Sequence, residues 1–207
     1  MSLPELERLV EVMGRLRHGC PWDAQQTHRS LVQYLIEETA ETVEAIEVDD
    51  RELLREELGD LLLQVIFHAE IAGEQPGGFD VEDVARGIAD KLVARHPYVF
   101  ASGEVPNDLN FSWEQGKAAE KGRSSVLQGI PDQLSALARA NKIISRSRSR
   151  RVDLDLPDET ISAQQVGEQI VALVSRAQAC GVDPDQAVRD EVRRLERQVV
   201  EAESAAR

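Results

Sequence analysis

The sequence predicts an all-α helical bundle, and three observations predict it. Aromatic residues are only 4% of the 207 residues, while Leu, Val, Ala, Glu and Arg dominate, a composition that favours helices over sheets. Apolar residues recur at the helical period in one segment after another. Glycine- and proline-containing breaks separate those segments.

Residues 3–17 read as the first helix, with Leu6, Leu9, Val10, Met13 and Leu16 on one side. His18-Gly19-Cys20-Pro21-Trp22-Asp23 breaks it. The second helix starts near Ser30, a residue suited to an N-cap, and runs to about Glu47 with Val32, Leu35, Ile36, Val43 and Ile46 apolar. Arg51 to Ala72 forms the third, carrying Leu54, Leu58, Leu61, Leu62, Val65 and Ile66. A loop follows from Gly73 through Gly78. The fourth helix spans about Val81 to Arg95, and Pro97 stops it. Residues 101–112 read as irregular, and a short helix follows around Trp113 to Lys121.

A chain of this length makes one large domain or two small ones. Cys20 and Cys180 form no disulfide framework, which fits a reducing cytoplasm. No basic segment leading into an apolar one is present at the N-terminus. The longest apolar runs, such as Leu61-Leu62-Leu63, are too short to cross a bilayer, so no membrane partner is expected. The net charge of −14 argues against nucleic acid as a partner. A polyanionic substrate would therefore need metal ions and a local basic patch.

Glu37 to Asp60 is the most informative stretch, with eleven acids and two bases in 24 residues. Glu37-Glu38-x-x-Glu41 precedes a break at Val48-Asp49-Asp50, and Glu57-x-x-Asp60 follows it. The spacing of three puts Glu38 with Glu41, and Glu57 with Asp60, on single helix faces. If the chain folds back at residue 49 as an antiparallel hairpin, Glu41 comes level with Glu57 and Glu38 with Asp60. Two carboxylates about 4 Å apart repel by roughly 4 kcal/mol at an effective dielectric near 20. Four together protonate, splay or bind cations. Glu44, Glu47 and Glu52 read as a solvated face. For the mirrored four we expect a cation site, and oxygen-only ligands suit Mg²⁺ or Mn²⁺. A di-iron bundle would want Glu-x-x-His on two helices, which is absent here. His68 lies about 12 Å of helix rise beyond Asp60 and reads as a packed structural histidine. No Cys/His cluster has zinc spacing.

A weak internal repeat is present. Glu57-Leu-Gly-Asp through Gly73 resembles Gln165-Val-Gly-Glu through Gly181, with Gly59 matching Gly167 and Gly73 matching Gly181. The second copy has Gln165 where Glu57 stands and no acidic helix before it. The domains expected are 1–122, a catalytic helical domain; 123–160, a connecting segment; and 161–207, a degenerate second copy. The basic run Ser145 to Arg151 reads as a solvated helix end.

Lys91 and Arg95 share one helix face, as do Trp113 and Lys117. Cations aimed at phosphate oxygens are what a triphosphate needs, and an indole can stack on a base. Trp22 and Trp113 could equally be core, and His28 either reads a base edge or merely lies near a helix start.

Gly19-Cys20-Pro21-Trp22-Asp23 with Gln26-Thr27-His28 resembles the MazG family of nucleoside triphosphate pyrophosphohydrolases. Glu37-Glu38-Thr39-Ala40-Glu41, Glu57-Leu58-Gly59-Asp60 and Lys91 through Arg95-His96-Pro97 carry the same resemblance, which covers about residues 5–145. The two-copy layout is similar to the family's longer, tandem members. The resemblance implies an all-α bundle, usually a homodimer, with Mg²⁺ at Glu38, Glu41, Glu57 and Asp60. It implies cleavage between the α and β phosphates of a nucleoside triphosphate, giving monophosphate and pyrophosphate. It puts Lys91, Arg95, Trp113 and Lys117 at nucleotide-contact positions. The residues themselves offer Trp22 and His28 as further substrate-binding candidates. It leaves open which copy of a tandem member is active.

The residues fit that chemistry. Metals at the carboxylates would bridge phosphate oxygens and neutralise the departing pyrophosphate. Glu37 or Glu38, whichever is not fully engaged, would take the water's proton. No Gly-x-x-x-x-Gly-Lys loop exists, so a P-loop enzyme is not indicated. The rival reading is a non-catalytic helical module that senses nucleotides or binds partners.

Overall fold

In the computed structural model the described residues are 3–205, with Asn110 described by its backbone alone. Among them are ten α-helices and no strand: α1 (Pro4–Gly19), α2 (Pro21–Gln25), α3 (Val32–Glu47), α4 (Arg51–Gly73), α5 (Val81–Arg95), α6 (Pro97–Phe100), α7 (Leu109–Glu120), α8 (Ala136–Ser149), α9 (Ala163–Ala179) and α10 (Pro184–Ala205). None of these helices is long and apolar enough to cross a membrane. The chain divides into two compact units, Met1–His96 and Pro97–Arg207.

In the first unit, α3 packs along α4, α1 packs on α2 and α4, and α5 packs on α4. The chain reverses between α3 and α4 where the sequence predicts. Asp49 takes φ 55°, the left-handed conformation that Asp tolerates. Asp50 caps α4 by accepting from the N–H groups of Glu52 and Leu53 at 3.0 and 3.1 Å. Met13, Leu31, Ile66, Phe67 and Ile71 form the core, bringing the stripes of α1 and α4 together with the residue before α3. Gly78 has a steric reason: a Cβ there would lie 1.9 Å from the Ala72 carbonyl oxygen. Asp80 and Asp83 close a capping box that starts α5.

Two local expectations differ. The expected break after residue 17 is partly helical, because α1 runs to Gly19 and Pro21 opens the short α2. Ser30 does not cap α3. It closes a turn with Thr27, each side chain accepting from the other's backbone N–H.

In the second unit, α8 packs against α7 and α10, and α9 packs on α10. Val126, Ile130, Ile143, Val192, Leu195 and Val199 form its core. The compact units divide at 96/97, whereas the sequence reading sets its boundaries at 122/123 and 160/161. Residues 123–160, read as a connector, supply α8 and half of those core residues. Charged and serine residues interleave with Ala140, Ile143 and Ile144, which dilutes the apolar period. The basic run is also not a uniformly solvated end. Arg146 is 6% exposed and Ser147 1% exposed. Arg146 donates to the carbonyls of Val126 and Gln128 at 3.1 and 3.0 Å, tying the loop before α8 to the core.

Candidate active site

The α3–α4 hairpin positions the acidic residues. Glu38 and Glu41 stand one turn apart on α3, and Glu57 and Asp60 one turn apart on α4. Carboxylate oxygens of Glu38, Glu41 and Glu57 lie within 4.8 Å of one another. The structure therefore brings three of the four together, and Asp60 stands outside that group while its charge still acts on Glu38 and Glu57. Glu57 is buried, Glu38 half-buried, and Glu37 and Glu41 exposed.

Desolvation pushes the Glu57 carboxyl above its ordinary range, and the charges of Glu41, Asp60, Glu56 and Glu44 push it the same way. Glu38 is raised by burial and then by Asp60, Glu41, Glu57 and Glu37. Carboxylates crowded against their own repulsion are a donor set that fits a hard divalent cation, since the cation supplies the missing counter-charge.

Arg17 organises the loop beside this hairpin. Its side chain is 9% exposed and makes a two-pronged ion pair with Glu74 at the end of α4, Nε at 2.5 Å and Nη2 at 3.0 Å. Its Nη1 donates to the carbonyls of Asp23 and Gln26, the latter at 3.0 Å. One buried guanidinium thus fixes the chain just after Trp22, at Asp23 and Gln26, to the end of α4. Arg17 was missed in the sequence, because a single arginine at a helix end gives no sign of a partner far along the chain.

Trp22 is half exposed and meets Tyr34 and Phe67 edge-on, with ring centroids at 5.7 and 6.5 Å. It is held by the core on its edges while half its surface stays open. His28 is exposed and stacks on the half-buried His68, centroids 5.1 Å apart and planes within 6°. Their Nδ1 atoms are 2.8 Å apart, so one donates and the other accepts. Burial first, and then the His28 charge, lower the His68 pKa. The sequence reads His68 as a packed structural histidine; the structure half-buries it, and its pairing with His28 was not legible.

Lys91 is exposed on α5 and Arg95, one turn on, is half-buried. Trp113 and Lys117 lie on α7 in the second unit, with the Lys117 ammonium 5.0 Å from the Trp113 ring centroid. Lys117 also pairs with Glu114 at 3.4 Å. Glu114 further meets Lys142 at 3.6 Å and Arg146 at 3.4 Å. Burial pushes Glu114 up, but these three cations outweigh it and hold its carboxyl below the usual range.

The model of the MazG nucleotide pyrophosphohydrolase domain matches residues 26–100, a span that holds the four carboxylates, His28, Lys91 and Arg95. The chain is 38% identical over 211 residues to the "Nucleoside triphosphate pyrophosphohydrolase/pyrophosphatase MazG" of Thermotoga maritima, covering 91% of this chain and 82% of that protein. It is 41% identical over 187 residues to the "Nucleoside triphosphate pyrophosphohydrolase" of Escherichia coli K12, covering 86% of this chain and 70% of that protein. An uncharacterized 26.1 kDa protein of Streptomyces cacaoi is 46% identical over 187 residues, covering 87% of this chain and 75% of its own length. With its acidic hairpin in the matched span and its length shared with these relatives, the chain belongs to the MazG family of nucleotide pyrophosphohydrolases.

Proposed function

We propose that this protein hydrolyses nucleoside triphosphates between the α and β phosphates, releasing monophosphate and pyrophosphate, with Mg²⁺ as its ion and Mn²⁺ as a substitute. The observation that carries the reading is the approach of the Glu38, Glu41 and Glu57 oxygens to within 4.8 Å of one another on facing helices. The bound ion supplies Lewis acidity and charge neutralisation at the phosphates. Glu38, Glu41 and Glu57 hold it, and Asp60 completes the set. Glu37, which is exposed, or Glu38, whichever is not fully engaged with the ion, accepts the proton of the attacking water. Lys91 and Arg95 bind the triphosphate, Trp113 and Lys117 the nucleotide, and Trp22 with His28 the base.

Both cysteines are free, which fits a reducing compartment, and we place the reaction in the cytoplasm as house-cleaning of the nucleotide pool. We also assign a homodimer, supported by apolar side chains that α3, α4 and α5 leave exposed.

The test pairs catalysis with stability. Pyrophosphate release is measured over a panel of triphosphates with Mg²⁺, with Mn²⁺ and with chelator. Glu41→Gln combined with Glu57→Gln relieves the burial cost and the repulsion that raise Glu57, so the metal-free variant should melt higher than the wild type while losing hydrolysis by at least 100-fold. A variant that turns over at the wild-type rate refutes the assignment.

A further inference from the structure

The proposed reaction uses none of the arginines that gather in the second unit. A hollow of about 640 Å³ lies along α7, where Phe111, Gln115 and Ala118 face it. Arg123 enters it from the loop after α7, and Arg150 and Arg151 enter from the end of α8. Its lining holds three guanidinium groups and no carboxylate, in a chain with 38 acids and 24 bases. Among the described residues none of the three takes part in an ion pair.

The three are held in place rather than trailing in solvent. The Arg123 N–H donates to the Ala118 carbonyl at 3.0 Å, fastening Arg123 to the end of α7. Arg150 Nη2 donates to the Arg123 carbonyl at 3.3 Å. The Arg151 guanidinium lies over the Phe111 ring, 5.4 Å from its centroid. Arg151 also takes φ 55°, where glycine is the favoured residue just past a helix end. Attraction to the helix C-terminus accounts for a cation at Arg150, its C-cap. It accounts for neither Arg123, which comes from another segment, nor the convergence.

We propose that this hollow is an anion site of the second unit that takes a compact polyphosphate, either free pyrophosphate or the phosphate tail of a nucleotide, directly on arginine and without a metal. Planar guanidinium forks match phosphate oxygens two at a time. The positive charge reaches Arg146, outside the hollow: after burial, Arg123 is the largest influence lowering its pKa and Arg150 acts in the same direction, against Glu114. A small anion suits the site better than a nucleic-acid strand does. The cations converge in one hollow rather than tracking along a surface, and the net charge of −14 repels a long polyanion elsewhere.

The experiment is calorimetric titration of the full chain in chelator, where the acidic hairpin has no ion to hold a phosphate. Pyrophosphate should bind at one per chain. Arg151→Gly removes a cation while relieving the left-handed backbone, so it should melt no lower than the wild type and bind at least 5-fold more weakly. Gln115→Glu, which puts a carboxylate into the hollow and removes nothing, should weaken binding at least as much. A nucleoside diphosphate that binds tighter than pyrophosphate identifies the nucleotide tail as the ligand, and one that binds no tighter identifies free pyrophosphate. Absence of binding, binding unchanged in both variants, or an oligonucleotide held more tightly than pyrophosphate by the same arginines overturns the proposal. Binding in chelator is read without turnover, so its failure leaves the hydrolytic reading intact, and failure of hydrolysis leaves this site intact.

Discussion

Arg17 shows what one side chain does in the first unit. Its guanidinium is nearly buried, while its partner Glu74 keeps 37% of its side chain in solvent. The ion pair with Arg17 is the main reason the Glu74 carboxyl sits below its ordinary value. A carboxyl lowered in the folded state binds fewer protons there than in the unfolded chain. Its contribution is therefore present above the unfolded value near 4.5 and is lost as pH falls through the folded value. Melting temperatures of wild type and Glu74→Gln should differ at neutral pH, with wild type higher, and the gap should close in acid. Arg17→Ala also frees the Asp23 and Gln26 carbonyls and should cost about 2 kcal/mol in denaturant unfolding. A gap that widens in acid would refute the ion-pair account.

At the scale of the helix, the boundaries follow caps and breakers more than apolar pattern. Asp50, Asp80, Asp108, Ser135 and Ser162 each accept from a backbone N–H in the first turn of a helix. Gln165, which the repeat aligns with Glu57, completes a capping box with Ser162 at the start of α9. Gly167 lies two residues further in, is exposed, and has nothing within 4 Å of a Cβ built on it. Gly167→Ala should therefore stabilise the protein by about 1 kcal/mol through helix propensity alone. The same change at Gly78 should destabilise it, since the added carbon would strike the Ala72 carbonyl. Chemical denaturation of both variants checks the pair, and a destabilising Gly167→Ala would mean that α9 has a neighbour the single chain does not contain.

For the whole molecule, the question is what covers the apolar surface. Leu58, Leu62 and Val65 are exposed along α4, and Val84, Ile88 and Leu92 along α5. Ile36 is 65% and Ile46 58% exposed on α3. Three adjacent helices of one unit thus present side chains of the kind a core buries. Burial against a second copy is the basis of the homodimer assigned above. Leu62→Glu should halve the molecular mass seen by light scattering while leaving the helical circular-dichroism signal in place. A wild-type protein that is monomeric at all concentrations would remove this assignment.

The sequence by itself determined the helical class, the reversal at residue 49, the approximate span of α5 and the facing positions of the acidic residues. These follow from short-range causes: the helical period, left-handed tolerance at Asp49, an Asp cap, and spacings of three on one face. Tertiary structure alone decided the rest. It grouped the Glu38, Glu41 and Glu57 oxygens and left Asp60 outside them, because level positions on two helices do not fix side-chain reach. It joined Arg17 to Glu74 across 57 residues and His28 to His68 across 40. It buried Arg146 inside a run that reads as solvated, and it gathered Arg123, Arg150 and Arg151 in one hollow. Each of these depends on which distant segment packs alongside, and local pattern carries the period of a helix but not the identity of its neighbour.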